Sequence, residues 1–140
     1  MYKNKKIAIT IPAFNEEKFI KKTLSSIPRY VDLIVVVDDG STDDTSGEIG
    51  ECIKKDKRIK LITSVKNEGV GASIIKAHLI VARNGLDIVV VIAGDNQMDT
   101  NYLPKLLEGI IDQGADYSKG NRFYHGEELK KMPIIRIIGN

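Results

Sequence analysis

The chain has 140 residues, of which 42% are hydrophobic and 29% are charged, a composition typical of a folded globular domain rather than a disordered segment. Its net charge of +2 arises from 21 basic and 19 acidic residues, and this near balance leads us to expect no nucleic-acid partner. The single Cys52 excludes an internal disulfide and agrees with a reducing, cytoplasmic compartment. We expect one domain over residues 1–140, truncated at its carboxyl end, because residues 134–138 look like the start of a further element.

Strand and helix patterns alternate along the chain. Residues 6–11, 33–37, 59–63 and 89–92 are short apolar runs, as in the buried strands of a parallel sheet. The segments that follow these runs carry apolar residues at helical spacing. A short fifth strand is predicted at residues 115–120.

Three local features refine this pattern. Pro12 is expected to end the first strand, because proline cannot donate to a strand ladder. Asn15 is expected to cap the first helix, with Glu16 and Glu17 near the positive end of its dipole. The third helix is expected to be deeply buried, because its interior, residues 74–82, is apolar almost all round.

Alternating strands and helices with short connections predict an α/β fold. We expect a Rossmann-like three-layer sandwich, with a mostly parallel sheet and helices on both faces. The predicted strand order is 3-2-1-4, with a switch point between the first and fourth strands. Ligands of open α/β sheets bind at the carboxyl ends of the strands, so the loops after the first, second and fourth strands are expected to form a nucleotide-binding site.

Acidic residues follow two of the predicted strands. Asp38 and Asp39 follow the second strand, and Asp95 follows the fourth, with Gln97 two residues later. Carboxylates suit base N–H donors, ribose hydroxyls and divalent metals but repel bare phosphates, so a bound nucleotide diphosphate calls for a cation at Asp95. The same stretch also fits a plain turn at Asp95 and a helix cap at Asp99, and the stretch alone leaves both interpretations open.

Two common nucleotide-binding classes lack their motifs here. A dinucleotide-dependent oxidoreductase carries G-x-G-x-x-G after the first strand, but residues 10–15 contain no glycine. The glycines of residues 69–71 follow the third strand and are a weak match. The P-loop pattern G-x-x-x-x-G-K-[ST] is absent from the sequence, so both classes are excluded.

Together the loop motifs resemble those of family-two glycosyltransferases of the GT-A fold, most closely the dolichyl-phosphate mannose synthase-like branch. The matching segments occur in order across nearly the whole chain, at residues 11–17 (IPAFNEE), 36–45 (VVDDGSTDDT), 67–72 (NEGVGA), 94–99 (GDNQMD), 114–116 (GAD) and 120–123 (GNRF). Each segment is loose by itself, and the combination is specific.

The resemblance implies a role for each matched residue. It implies a nucleotide-binding pocket formed by Pro12, Ala13, Phe14, Glu16, Val37, Asp38, Asp39 and Gly94. It implies that Asp95 is the metal-binding acid of a D-x-D motif and that Gln97 is a further ligand of Mg²⁺ or Mn²⁺. Arg122 and Arg136 are implied to bind phosphate, and together with Asp95 they are the candidate catalytic residues. The sequence departs from the motif at Ala93, where the family carries the first acid.

The implied reaction is metal-dependent transfer of a sugar, with inversion, from a UDP- or GDP-linked donor to a polyprenyl or dolichyl phosphate or a growing glycan. A phosphate acceptor is already anionic and needs cations rather than a base. The basic segment after residue 119 suits a membrane surface, so the full-length protein is expected at the cytoplasmic face of a membrane.

Two alternatives stay open. One is a nucleotidyltransferase acting on a sugar phosphate, although the loop after the first strand lacks the glycine and basic residues expected of that class. The other is a degenerate domain that binds a nucleotide without turnover, which Ala93 favours.

Overall fold

The structure, a computed structural model, describes residues 1–120. A 3₁₀ helix covers Thr100–Tyr102, and the other elements alternate as β1 (Ile7–Ala13), α1 (Ile20–Ser26), β2 (Leu33–Asp38), α2 (Thr45–Lys55), β3 (Ile59–Thr63), α3 (Val70–Arg83), β4 (Ile88–Val91) and α4 (Leu103–Ile111). The four strands form one parallel sheet in the order β3-β2-β1-β4. The predicted α/β alternation and strand order are confirmed.

The chain divides into two compact units. The first unit, Met1–Thr100, contains the whole sheet with α1, α2 and α3, and the second unit begins at Asn101. The expectation of one domain over residues 1–140 stays a prediction. No helix within residues 1–120 has both the length and the apolar character needed to cross a membrane.

The described part of the second unit contains α4, whose apolar stripe was predicted from the sequence. After this helix Gly114 adopts a φ of 70°, and the Ala115 N–H donates to the Gly109 carbonyl at 3.1 Å. The backbone therefore turns where the helix ends. Residues 115–120 form no strand, so the fifth strand predicted there was wrong.

Right-handed crossovers decide which face of the sheet each helix covers. The units β1–α1–β2 and β2–α2–β3 step in one direction across the sheet, so α1 and α2 lie on the same face. The unit β3–α3–β4 steps back across β2 and β1, which places α3 on the opposite face. In agreement, α3 packs against β1 and β2, while α2 packs against α1 and β3.

The core explains why β1 and β2 are apolar along their whole length. Successive strand residues point to opposite faces, and both faces are covered by helices. On the face of α3 the core consists of Ala8, Leu33, Val35, Val37, Ala77 and Val81. On the opposite face the fully buried strand residues are Ile7, Ile9, Ile11, Ile34 and Val36. Burying one such large side chain stabilises the fold by about 1.5–3 kcal/mol.

α3 is less buried than the sequence predicts. Ser73, Ala77 and Val81 form one buried stripe, with the spacing of four residues that keeps side chains on one helix face. Ile75 and Leu79 lie on the other side and are 63% and 53% exposed. The expectation of deep burial was wrong, because an apolar composition does not say which sides of a helix are covered.

β1 continues through Pro12 to Ala13, although the sequence predicts that it ends at the proline. The Thr10 carbonyl accepts the Ile92 N–H at 3.1 Å on the β4 side, and the Ala13 carbonyl accepts the Asp39 N–H at 2.8 Å on the β2 side. Pro12 shares the orientation of Thr10, and the register between β1 and β4 ends at Thr10. The N–H that Pro12 lacks would therefore point past the end of β4, where no ladder bond is lost.

Arg58 fastens the start of β3 to the segment between α1 and β2. Its Nη1 donates to the carbonyls of Pro28 and Val31 at 2.8 and 2.9 Å, and its Nη2 donates to the Asp56 carboxylate at 2.6 Å. The Arg58 guanidinium also holds the pKa of Asp56 below its ordinary value.

Replacing Arg58 with alanine is expected to lower the free energy of unfolding by about 2 kcal/mol, because two carbonyls and a carboxylate lose a charged donor. Urea denaturation measures this loss. The neighbouring exposed cation supplies the control, Lys57→Ala, which is expected to change stability little. Equal losses in both variants would contradict the role of Arg58.

Candidate nucleotide-binding site

The carboxyl ends of β1, β2 and β4 meet at one edge of the sheet. In the β1–β2 register Pro12 pairs with Val37, and Ala13 pairs with Asp38. Gly94, which follows β4, lies beside Ala13, since a Cβ placed on the glycine would be 3.5 Å from the Ala13 Cβ. These five residues, all predicted to bind a nucleotide, are therefore brought together around the end of β1.

The loop after β1 places an aromatic ring and an acid at this edge. Phe14 is 43% exposed, while Glu16 is half-buried. A Cβ on Gly94 would lie 3.3 Å from the Glu16 Cγ, so Glu16 lies against the loop after β4. Burial raises the pKa of Glu16, and the negative charges of Asp95 and Asp43 raise it further. Carboxylates from three loops therefore act on each other here.

Asp38, the last residue of β2, and Asp39, which follows it, are both buried and have different hydrogen-bond partners. The Asp38 carboxylate accepts the Ser41 N–H at 2.9 Å and the Ser46 hydroxyl, so it orders the turn that leads into α2. The nucleotide contact implied for Asp38 stays a prediction, and its carboxylate serves the loop in this structure.

The Asp39 carboxylate ties the loop after β2 to the loop after β3. It accepts the N–H groups of Glu68 and Gly69 at 3.1 and 2.8 Å. Burial raises the pKa of Asp39, but hydrogen bonds, with those of Glu68 and Gly69 foremost, outweigh burial and hold the pKa below its ordinary value. Asp39 is therefore ionised at neutral pH and offers a negatively charged acceptor at the edge of the sheet.

Gly40 allows these two loops to approach closely. Its φ is +74°, and a Cβ at this position would lie 2.7 Å from the Lys66 carbonyl carbon and 2.9 Å from the Asn67 nitrogen. Both atoms belong to the backbone, so a side chain at position 40 would require the loop after β3 to move.

Gly40→Ala is expected to cost about 2–3 kcal/mol of stability, from the left-handed backbone and the clash together. The matched control is Gly50→Ala within α2, where no atom lies within 4 Å of the added Cβ. That variant is expected to gain about 0.5–1 kcal/mol from helix propensity. Thermal unfolding of both variants checks the prediction, and similar melting temperatures would refute it.

The loop after β4 is a tight turn anchored from α1. The Thr23 hydroxyl donates to the Gly94 carbonyl at 2.9 Å in a buried contact. The Gln97 N–H donates to the Asp95 Oδ1 at 3.0 Å, and Asn96 between them has a φ of 58°. Asp95 is half-buried and Gln97 is exposed. Because a carboxylate has about four acceptor positions, the bond from the Gln97 N–H does not by itself exhaust the capacity of Asp95 to bind a ligand.

The donor set fits a cation that arrives with a nucleotide. Within residues 1–120 no three or more acidic, histidine or cysteine side chains gather into a group that could hold a metal ion. Mg²⁺ in nucleotide sites is bound by one or two carboxylates together with phosphate oxygens, rather than by a cage of protein ligands. Asp95, Gln97 and the neighbouring Glu16 supply oxygen donors of the required hard type.

Two threonines that hold the loops of the site in place were not predicted from the sequence. Thr23 shares the buried face of α1 with Ile20 and Leu24, so a hydroxyl among apolar residues at helical spacing was the available signal. Thr45, the first residue of α2, is completely buried and accepts the Glu16 N–H at 2.8 Å. No local sequence pattern predicts that hydrogen bond, because Glu16 and Thr45 are 29 residues apart in the chain.

The implied phosphate-binding Arg122 and Arg136 lie outside the described residues. Of the three candidate catalytic residues, Asp95 alone is placed by the described part of the chain, and the roles of the two arginines stay predictions.

Asp43 joins the loop after β2 to the loop after β1. Its carboxylate accepts the N–H groups of Thr45 and Glu17 at 3.1 and 3.2 Å, and it also accepts the Thr45 hydroxyl. Burial raises the pKa of Asp43, but these hydrogen bonds outweigh burial and hold the pKa below the ordinary 3.8.

A carboxylate with a lowered pKa stabilises the fold above its ordinary pKa, and this contribution is lost as the pH falls through the folded-state pKa. Asp43→Asn is therefore expected to be less stable than the parent chain at pH 7, with a difference that shrinks below about pH 4. Urea denaturation across this range measures it. A difference that stays constant down to about pH 2.5 would show that the charge of Asp43 is not involved.

The doubly wound sheet, with acidic loops at the carboxyl ends of β2 and β4, defines an α/β domain of the class whose ligands bind at this edge of the sheet. Residues 8–138 match the family model described as glycosyl transferase family 2, and the chain belongs to this family. The family predicted from the loop motifs is confirmed.

Two curated relatives act on dolichyl phosphates by their names. The UDP-N-acetylglucosamine–dolichyl-phosphate N-acetylglucosaminyltransferase of Methanococcus voltae is 31% identical over 98% of this chain and 60% of its own length. The dolichol-phosphate mannosyltransferase of Pyrococcus furiosus is 30% identical over 94% of this chain and 37% of its own length. The chain thus spans about half the length of such relatives, 60% of the first and 37% of the second.

A solved structure supports the same fold. Glucosyl-3-phosphoglycerate synthase from Mycobacterium tuberculosis, in complex with Mn²⁺, UDP and glucosyl-3-phosphoglycerate, superposes with a TM-score of 0.59. It is 26% identical, and the match covers 77% of this chain and 40% of that one. The GT-A fold expected from the resemblance is confirmed.

Proposed function

We propose that the protein containing this chain transfers a sugar from a nucleoside diphosphate sugar, with a divalent cation, to a phosphate-bearing lipid of the polyprenyl or dolichyl type. One observation carries the proposal. In a chain of this family, the acids after β2 and β4 flank the end of the central strand β1, where Glu16 lies against Gly94. This arrangement offers oxygen acceptors for a nucleoside on one side and for a cation on the other.

The nucleoside is proposed to bind between the loops after β1 and β2. Asp39 is ionised and accepts hydrogen bonds, so it suits the N–H donors of uracil or guanine. Phe14 presents an exposed ring against which a base can stack. Glu16 lies two residues after Phe14, in the same loop, and its carboxylate is proposed to accept hydrogen bonds from the ribose hydroxyls. The donor is therefore proposed to be UDP- or GDP-linked.

The diphosphate needs a partner other than the protein's acids. Glu16, Asp39 and Asp95 would repel the two phosphates, and the negative charge of Asp95 already adds to burial in raising the pKa of Glu16. A Mg²⁺ or Mn²⁺ ion bound with the donor would screen this repulsion and stabilise the charge that develops on the leaving diphosphate. Asp95 and Gln97 are proposed as its protein ligands.

The acceptor is proposed to be a lipid phosphate at the cytoplasmic face of a membrane. The dolichyl-phosphate names of two relatives support this class. An anionic phosphate oxygen can attack the anomeric carbon directly, with inversion, and needs no general base. Arg122 and Arg136 are proposed to hold the acceptor phosphate by charged hydrogen bonds. A growing glycan as acceptor would instead require a base within reach of its hydroxyl.

Ala93 gives specific support to one second candidate, a domain that binds a nucleotide without turnover. The first acid of the D-x-D pattern is missing at this position. Release of nucleoside diphosphate from a nucleoside diphosphate sugar by the full-length protein, dependent on added polyprenyl phosphate, separates transfer from binding alone. Release of pyrophosphate from a nucleoside triphosphate and a sugar phosphate would instead indicate a nucleotidyltransferase.

The donor site is tested by calorimetric titration of UDP and GDP, with Mn²⁺ and with EDTA. Binding of one nucleotide is expected with metal, and Asp95→Asn is expected to weaken it at least tenfold, or about 1.4 kcal/mol. The control variant Glu51→Gln removes one negative charge from an exposed position on α2 and is expected to bind like the parent chain. Binding that is indifferent to EDTA and to Asp95→Asn would refute the metal-dependent donor site.

A further inference from the structure

The loops after β1 and β2 are joined by a reciprocal set of hydrogen bonds, here called the loop clasp (residues 15–17 and 41–45). Three consecutive N–H groups, those of residues 15–17, donate to the side chains of Ser41, Thr45 and Asp43 at 2.9, 2.8 and 3.2 Å. A loop that leaves the sheet must satisfy its backbone groups elsewhere, and here side chains of the neighbouring loop do so.

Side chains of the loop after β1 likewise accept hydrogen bonds from the loop after β2. The Asn15 Oδ1 accepts the N–H of Thr42 at 2.8 Å and its hydroxyl at 3.3 Å. The Glu17 Oε2 accepts the N–H of Asp44 at 3.0 Å. Each loop therefore supplies acceptors to the backbone of the other, and displacing one loop would break bonds made by both.

Asn15, like Glu17, takes part in both directions, since its N–H donates to Ser41 and its side chain accepts from Thr42. Its φ is 56°, in the left-handed region that asparagine tolerates better than most residues. α1 begins only at Ile20, so the expectation that Asn15 caps this helix was wrong. The side chain instead crosses to Thr42, 27 residues further along the chain.

We propose that Asn15 is a positioning residue for the nucleotide pocket, acting through its two neighbours. Phe14 precedes it and Glu16 follows it, so the left-handed turn at Asn15 sets the direction of both side chains. The acceptor atom of Asn15 fixes that turn against the loop that carries Asp39. This inference rests on the proposed function, and it adds a residue that itself touches no ligand.

The test uses three substitutions in the same chain. Asn15→Gly keeps the left-handed backbone accessible but removes the acceptor. Asn15→Asp keeps an acceptor at the same atom and also tolerates the left-handed region. Asn4→Gly is the control, because Asn4 also has a left-handed φ, of 62°, but precedes β1 at the opposite end of the sheet.

Two readouts separate positioning from a general loss of structure. Nucleotide affinity is measured by calorimetry with Mn²⁺ at about 0.15 M salt, which screens the added charge of Asn15→Asp. Asn15→Gly is expected to bind about tenfold more weakly, because the loops must then be ordered on binding. Asn15→Asp and Asn4→Gly are expected to stay within about threefold of the parent chain. Amide hydrogen exchange at Thr42 is expected to accelerate in Asn15→Gly and in neither of the others.

The outcomes are distinct. If the parent chain binds nucleotide and Asn15→Gly binds it equally well, the positioning role is refuted. Equal weakening in Asn15→Gly and Asn15→Asp also refutes it, because the acceptor atom then has no effect. If Asn15→Gly unfolds at the assay temperature, Ser41→Ala, which removes one bond of the loop clasp, replaces it with the same expected loss. Failure of the parent chain to bind any nucleotide refutes the proposed function and this inference together.

Discussion

The position of β1 between β2 and β4 is the constraint on which the candidate site depends. Because the chain winds outward through β2 and β3 and then returns to the other side of β1, the loops after β1, β2 and β4 leave the sheet at one place. Ala13 and Gly94 are far apart along the chain, yet a Cβ placed on the glycine would lie 3.5 Å from the Ala13 Cβ, an ordinary van der Waals contact. Parallel pairing fixes this edge as the carboxyl edge, where peptide groups and side chains are free to meet a ligand.

Several acids lie at the same edge of the sheet, and they differ in their hydrogen-bond partners and in the direction of their pKa shifts. Asp39 and Asp43 accept hydrogen bonds from backbone N–H groups of neighbouring loops, which stabilise their charges and fasten the loops to one another, whereas Asp38 orders the turn that leads into α2. Glu16 instead has a pKa raised by burial and by the negative charges of Asp95 and Asp43. Hydrogen bonds from backbone donors favour the ionised form of a carboxylate, whereas burial and a nearby negative charge disfavour it.

Much of the fold could be predicted from sequence because its signals are local. Apolar runs predicted the strands, and β3 was predicted with its observed bounds, residues 59–63. Two of the errors concern what lies outside a segment: which sides of α3 are covered, and whether Asn15 turns toward α1 or toward Thr42. Loop motifs predicted which residues would gather at the site. They could not predict the partners of Asp38 and Asp39, since adjacent identical side chains differ only in the loops they face.

The departure at Ala93 shows the difference between a motif and a site. By sequence the position lacks a carboxylate, yet Glu16 places one beside Gly94 from a loop much earlier in the chain. The negative charge of Asp95 adds to burial in raising the pKa of Glu16, although no motif links the two residues. What a cation or a diphosphate would meet is the summed charge of the edge, which depends on the folded positions of the loops. The proposed chemistry of this domain therefore depends on the meeting of the loops after β1 and β4, and the loop clasp joins the first of these to the loop after β2.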